Sequence, residues 1–213
     1  QARKEINLFA ERMRRMFGML KTLLHETNEN EFNKLFSRIE KYENISDSME
    51  LEIANYLNKV SEGRLSSESK LEIRGMLREV TEIESIGDSC YNLARTINRK
   101  RSGGNDFTEK QYEHIHQMMQ LTDDALAQMI AIVEDDYHVV DVNKTFNLEN
   151  EINNYRAQLK NQNVVDVNNK EYDYQMGVHY MDIIGECEKL GDYVVNVVEA
   201  RTNVKEKKTG DNR

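Results

Sequence analysis

The 213-residue chain contains no proline and no tryptophan. Proline is the residue that breaks helix interiors, so its absence over this length favours long uninterrupted helices. Cysteine is scarce as well. Cys90 and Cys187 lie far apart and outside any CxxC spacing, which excludes a zinc finger and a disulfide framework. A reducing cytoplasm is the expected compartment, and no secretory leader is recognisable. No apolar run approaches the roughly 20 residues of a membrane-spanning helix; the longest are short pieces such as 129–133. The net charge of -9 argues against nucleic acid as a partner, because that binding depends on Lys and Arg neutralising phosphates. No Gly-rich phosphate loop, dinucleotide fingerprint or Ser/His/Asp arrangement is visible, so an enzyme is disfavoured.

What the sequence does contain is helical periodicity. Phe9, Met13, Met16, Leu20, Leu23 and Leu24 predict a helix over residues 2–26. A second, over 30–61, carries Phe32, Leu35, Phe36, Ile39, Tyr42, Ile45, Met49, Ile53 and Leu57 on its apolar side, with Gly63 expected in the left-handed position after it. Ser66 and Ser67 can cap a third that runs to about residue 100. After the Arg101-Ser102-Gly103-Gly104-Asn105-Asp106 linker, Thr108 and Gln111 form a capping-box pattern that opens a fourth helix, ending near Asp136. Two more follow at about 140–162 and 168–205, with a fraying tail from Lys205. The ten glycines are expected mostly at helix ends.

The strongest signal is an internal repeat. Glu84, Gly87 and Asp88 recur 104 positions later as Glu188, Gly191 and Asp192, and the same offset pairs Glu82 with Glu186 and Asn92 with Asn196. The reading is an all-α protein of two tandem three-helix bundles, six helices in all, divided into residues 1–104 and 105–213. Positions four apart share a helix face, so Glu84, Asp88 and Asn92 form one stripe and Glu188, Asp192 and Asn196 another. Both stripes are expected to face away from their own three-helix core, opposite Ile83, Ile86, Cys90, Leu93 and Ile97.

Two carboxylates one turn apart can share a cation through oxygen ligands, and a neighbouring helix can complete the shell. The second helix offers Glu43, Asp47 and Glu50; the fifth offers Glu149, expected to match Glu50. Asn92 and Asn196 are candidates for orienting the ligands. Mid-helix Gly87 and Gly191 each cost about 1 kcal/mol relative to Ala, a cost that close approach of a helix or ligand would explain. A ferritin-type di-iron site needs two Glu-x-x-His motifs in one bundle; Glu113 and His116 supply one and no second exists. The remaining histidines, His25, His114, His138 and His179, are scattered and expected as surface or partly packed residues.

The two Glu-x-x-Gly-Asp motifs, each on the last helix of a three-helix unit, resemble the Glu-Arg-Ile-Gly-Asp-type motif of the PhoU family of phosphate-transport regulators. The position after each motif Glu is Ser85 or Lys189 rather than the family's common Arg. The resemblance implies two side-by-side three-helix bundles whose acidic motifs hold iron or zinc in some members, other divalent cations being open. It also implies a non-catalytic regulator of phosphate uptake, whose partner is the transport machinery or a second copy of itself. PhoU domains further occur as cytoplasmic C-terminal regions of sodium/phosphate cotransporters. Residues 1–21 carry a charge of +4 on Arg3, Lys4, Arg12, Arg14, Arg15 and Lys21 against Glu5 and Glu11. That is the pattern of a positive-inside segment following a membrane region absent from this sequence. The main expectation is accordingly a domain tethered to the inner membrane face, and the alternative is a free regulator of ABC-type phosphate transport.

Overall fold

The computed structural model describes residues 1–135 and 139–210, the side chains of 204–210 excepted. Among them the chain forms α1 (Ala2–His25), α2 (Glu29–Ser61), α3 (Ser67–Ser102), α4 (Glu109–Val133), α5 (Asn143–Asn168) and α6 (Tyr174–Gly210). Helix starts follow local chemistry. The Asn28 side chain accepts from the Glu31 amide, Ser66 accepts from Ser69, and Thr108 and Gln111 close the capping box. Each bond satisfies an amide that the first turn otherwise leaves without a partner.

Helix ends were harder to read. α5 continues past 162 through an Asn-rich, weakly amphipathic stretch and stops only when Lys170 takes a left-handed φ of 60°. The Glu171 amide then bonds back to Asp166 and the Lys170 amide to Val167, a Schellman closure made without glycine. Gly63 is not left-handed; among the glycines it is Gly104, after α3, that adopts φ 79°. Gly18, Gly75, Gly87, Gly177, Gly185 and Gly191 lie inside helices rather than at their ends. α6 runs to Gly210, beyond the expected 205. The expected end of α4 at Asp136, His138, and the tail residues 211–213 lie outside the described residues.

One apolar core joins both halves, from Ile6, Phe9 and Met13 in α1 to Ile184, Leu190 and Val194 in α6. α3 and α6 make the most extensive helix–helix contact, α1 and α4 also touch, and α2 and α5 pack only within their own halves. α3 and α6 run antiparallel across this seam. Ser89 Oγ donates to Glu186 at 2.7 Å and Asn196 Nδ2 donates to Glu82 at 3.1 Å. The repeated Glu82/Glu186 pair therefore serves the junction of the repeats. Cys90 and Cys187 are both buried in this region, and burial pushes both thiols up from their ordinary range.

Much of the leading basic segment is engaged inside the fold. Arg3 donates to the fully buried Glu79 at 2.9 Å, Arg12 lies 3.9 Å over the Tyr42 ring, and Arg14 and Lys21 pair with Asp123 of α4. Lys4 and Arg15 remain exposed.

Candidate metal centre

The site is built where α2 crosses α3. Ile83, Ile86, Cys90 and Leu93 turn α3 into the core, which leaves Glu84 and Asp88 on the edge of the α2–α3 seam. The crossing is close because Gly87 carries no side chain: a Cβ there would sit 2.9 Å from Ser46 Oγ and 3.1 Å from Met13 Sδ. Ser46 is accordingly buried and its neighbour Ile45, expected on the apolar side of α2, is exposed. The acidic stripe of α3 thus meets the α2 acids at the rim of the seam, where Asp47 and Asp88 stay exposed.

The Glu43, Asp47 and Asp88 carboxylates each offer an oxygen within 4.8 Å of the others. Glu84 and Glu50 extend this group to five acids from two helices. Burial pushes Glu84 up to about 9, helped by its hydrogen bonds to Asp88 and Asp47 and by the charges of Asp88 and Glu50. Glu43 and Glu50 are raised for the same reasons, burial first and then the charges of Asp47 and Asp88. Like charges this close favour protonation or a counter-cation. The donor set is all oxygen, with neither imidazole nor thiolate in it, which fits hard cations and iron better than a thiolate-type zinc site.

The second repeat shows the same architecture with different chemistry. A Cβ on Gly191 would meet Ile152 Cδ1 at 3.3 Å, so Ile152 stands where Ser46 stands in the first repeat. That contact fixes the α2/α5 offset at 106, which sets Glu149 opposite Glu43, Asn153 opposite Asp47 and Arg156 opposite Glu50. The expected match of Glu149 with Glu50 is thereby corrected. A single offset of 104 could not reveal this, because the contact lies at different distances along the helices: Gly87 is 20 positions past the start of α3 and Gly191 only 17 past the start of α6.

Glu149 is raised by burial and by Asp192, while its bond to Asn153 lowers it. Asp192 is raised by burial, with a hydrogen bond from Glu149 acting downward. Glu188 is raised by burial, but Arg156 and Lys160 oppose the rise. Arg156 Nε lies 3.6 Å from Glu188 Oε1. Of the three carboxylates here, Glu188 faces a guanidinium that belongs to the chain. Arg156, which sequence reasoning passed over, also borders a cavity of about 440 Å³ with Arg95, Arg99, Asn92 and Lys189. Asn92 is exposed at that cavity, and Asn196, a candidate for orienting ligands, is bonded to Glu82.

The ferritin-type arrangement is not assembled. Among the described residues, Glu43, Asp47 and Asp88 are the group of three acidic, His or Cys side chains that converge, and Glu113 with His116 is not part of it. His116 instead faces His25 across the α1–α4 contact, and His114 hydrogen-bonds the Tyr180 hydroxyl at 2.8 Å.

Comparison with known proteins fits this geometry. The structure is similar to the phosphate transport system regulatory protein PhoU from Streptococcus pneumoniae, with a TM-score of 0.77, 14% identity and coverage of 96% of this chain and 93% of that one. It is similar to PhoU from Pseudomonas aeruginosa, at TM-score 0.74 and 13% identity over 97% and 96% of the two chains. A PhoU-like protein from Shewanella oneidensis gives 0.75 and 16% over 94% and 96%. No match was found among the curated proteins. These likenesses establish the fold, and the sequence carries more: the PhoU domain model matches twice, at residues 6–97 and 115–200. The chain therefore belongs to the PhoU family, with one PhoU domain in each three-helix repeat.

Proposed function

We propose that this protein is a non-catalytic regulator of phosphate uptake whose first repeat senses a divalent cation, iron or zinc being the leading candidates. The observation that carries the reading is the convergence of Glu43, Asp47 and Asp88, flanked by Glu50 and Glu84, on a PhoU fold. Glu84, raised to about 9, would release its proton when a cation arrives, so metal occupancy and local charge are coupled. Phosphate would be repelled by these acids alone; a bound cation would supply the positive charge through which it could dock.

The finer reading is the cytoplasmic PhoU-like domain of a sodium-dependent phosphate cotransporter, tethered at the inner membrane face. Its support from the basic leading helix is reduced, since Arg3, Arg12, Arg14 and Lys21 are engaged within the fold. The alternative is a stand-alone regulator of phosphate ABC transport, and the near-complete overlap with the solved PhoU proteins fits it equally well.

The test is metal content by mass spectrometry on purified protein, joined to phosphate-uptake measurements in cells expressing it. Stoichiometric metal in the wild type, lost in Asp47→Asn/Asp88→Asn together with the effect on uptake, is the expected result. Unchanged uptake by that metal-free variant would remove the sensing role, and metal retained by it would remove the ligand assignment.

A further inference from the structure

The α1–α4 contact joins the two repeats, and its composition is unusual at one end. His25, in the last turn of α1, and His116, in α4, point their Nε2 atoms at each other in direct contact. Their ring centroids are 4.6 Å apart and the planes are inclined by 57°. At most one N–H fits between two imidazole nitrogens, so at least one lone pair is always aimed at the partner ring. Tyr112 packs against His25 at 5.3 Å between centroids and supports its ring from the α4 side.

We infer that His25 and His116 form a transition-metal site that pins the first repeat to the second. With both rings protonated on Nδ1, and once these exposed side chains part far enough to admit metal–nitrogen bonds of about 2.0–2.1 Å, the two Nε2 atoms would suit Zn²⁺, Ni²⁺ or Cu²⁺, which prefer imidazole. Both rings are exposed, so water can complete the coordination. No acidic side chain among the described residues joins the two rings to make a group of three, so the site discriminates against Mg²⁺ and Ca²⁺, which require several oxygen ligands. Asp106, the nearby acid, is already engaged by Lys100 at 2.6 Å and by the Tyr112 hydroxyl at 2.6 Å. Because α1 and α4 belong to different repeats, a metal bound here stabilises their docking and not either repeat alone.

Three proteins test the inference: wild type, His25→Gln and His116→Gln, each in the Asp47→Asn/Asp88→Asn background to silence the carboxylate cluster. Copper(II) electron paramagnetic resonance and Ni²⁺ titration by calorimetry are the probes. The expected result is a spectrum with coupling to two nitrogens in the background protein, reduced to one in each His variant, and Ni²⁺ affinity at least ~10-fold weaker after either substitution. Thermal unfolding should shift upward with Ni²⁺ and not with Mg²⁺, and this shift should vanish in both variants. Copper signals or Ni²⁺ affinities unchanged by either substitution would overturn it. Both side chains are exposed, so the variants should fold; circular dichroism checks this directly.

Discussion

The two repeats solve the same packing problem and then diverge at the same place. In the first, α2 and α3 close over Gly87 and surround the crossing with Glu43, Asp47, Glu50, Glu84 and Asp88. In the second, α5 and α6 close over Gly191, and the positions of Asp47 and Glu50 are Asn153 and Arg156. One acid is replaced by an amide and one by a cation. The lesson is electrostatic: crowded carboxylates need a compensating charge, and the second repeat sets Arg156 against Glu188 within its own chain, whereas the five acids of the first favour uptake of protons or a metal ion.

The largest expected effect in breaking this comparison concerns the core beneath the first repeat. Glu79 is fully buried and bonded to Arg3, while the equivalent position in α6, 104 residues on, is the buried Ile183. Arg3→Ala removes the guanidinium from a buried carboxylate and should cost about 3–5 kcal/mol in urea unfolding. Arg3→Met/Glu79→Leu, which gives the first repeat the apolar character of the second, should recover most of that loss.

An exchange of site residues comes next. Asn153→Asp/Arg156→Glu gives the second repeat the acids of the first and should add a second equivalent of divalent metal by calorimetry. Asp47→Asn/Glu50→Arg should weaken binding at the first repeat by about 100-fold, since ligand charge sets affinity over several decades. Retention of tight binding after that change would show that the cluster is not the metal centre.

The smallest effect is on pH dependence. Glu84 is raised from 4.5 to about 9, so the folded protein holds a proton there that the unfolded chain releases. Stability from this group is present below about pH 4.5 and lost progressively as pH rises toward 9. In metal-free protein, melting temperature should fall across that window. Glu84→Gln should flatten the fall and raise the midpoint by roughly 2–4 °C at pH 8. Glu188→Gln should have a smaller effect, because Arg156 and Lys160 partly oppose the effect of burial there.

Much of the fold was legible because it depends on local rules. The 3.6-residue periodicity of Phe9, Met13, Met16 and Leu20, the caps at Ser66 and Thr108, and the repeated Glu-x-x-Gly-Asp each state their own conformation. The end of α5 did not, since a lysine took the left-handed turn that glycine usually marks. Nor did the assignment of Ile45 and Ser46: hydropathy places isoleucine inside, but the approach of Gly87 leaves room only for the serine.

The sequence by itself determined six long helices, their duplication and the acids that share a face, because those follow from spacing along one chain. Only the tertiary structure decided which acids meet, that Arg156 stands in for Glu50, and that His25 finds His116. These depend on where one helix crosses another, and a crossing is set by the close approach of Gly87 and Gly191 and by how far along its helix each glycine lies.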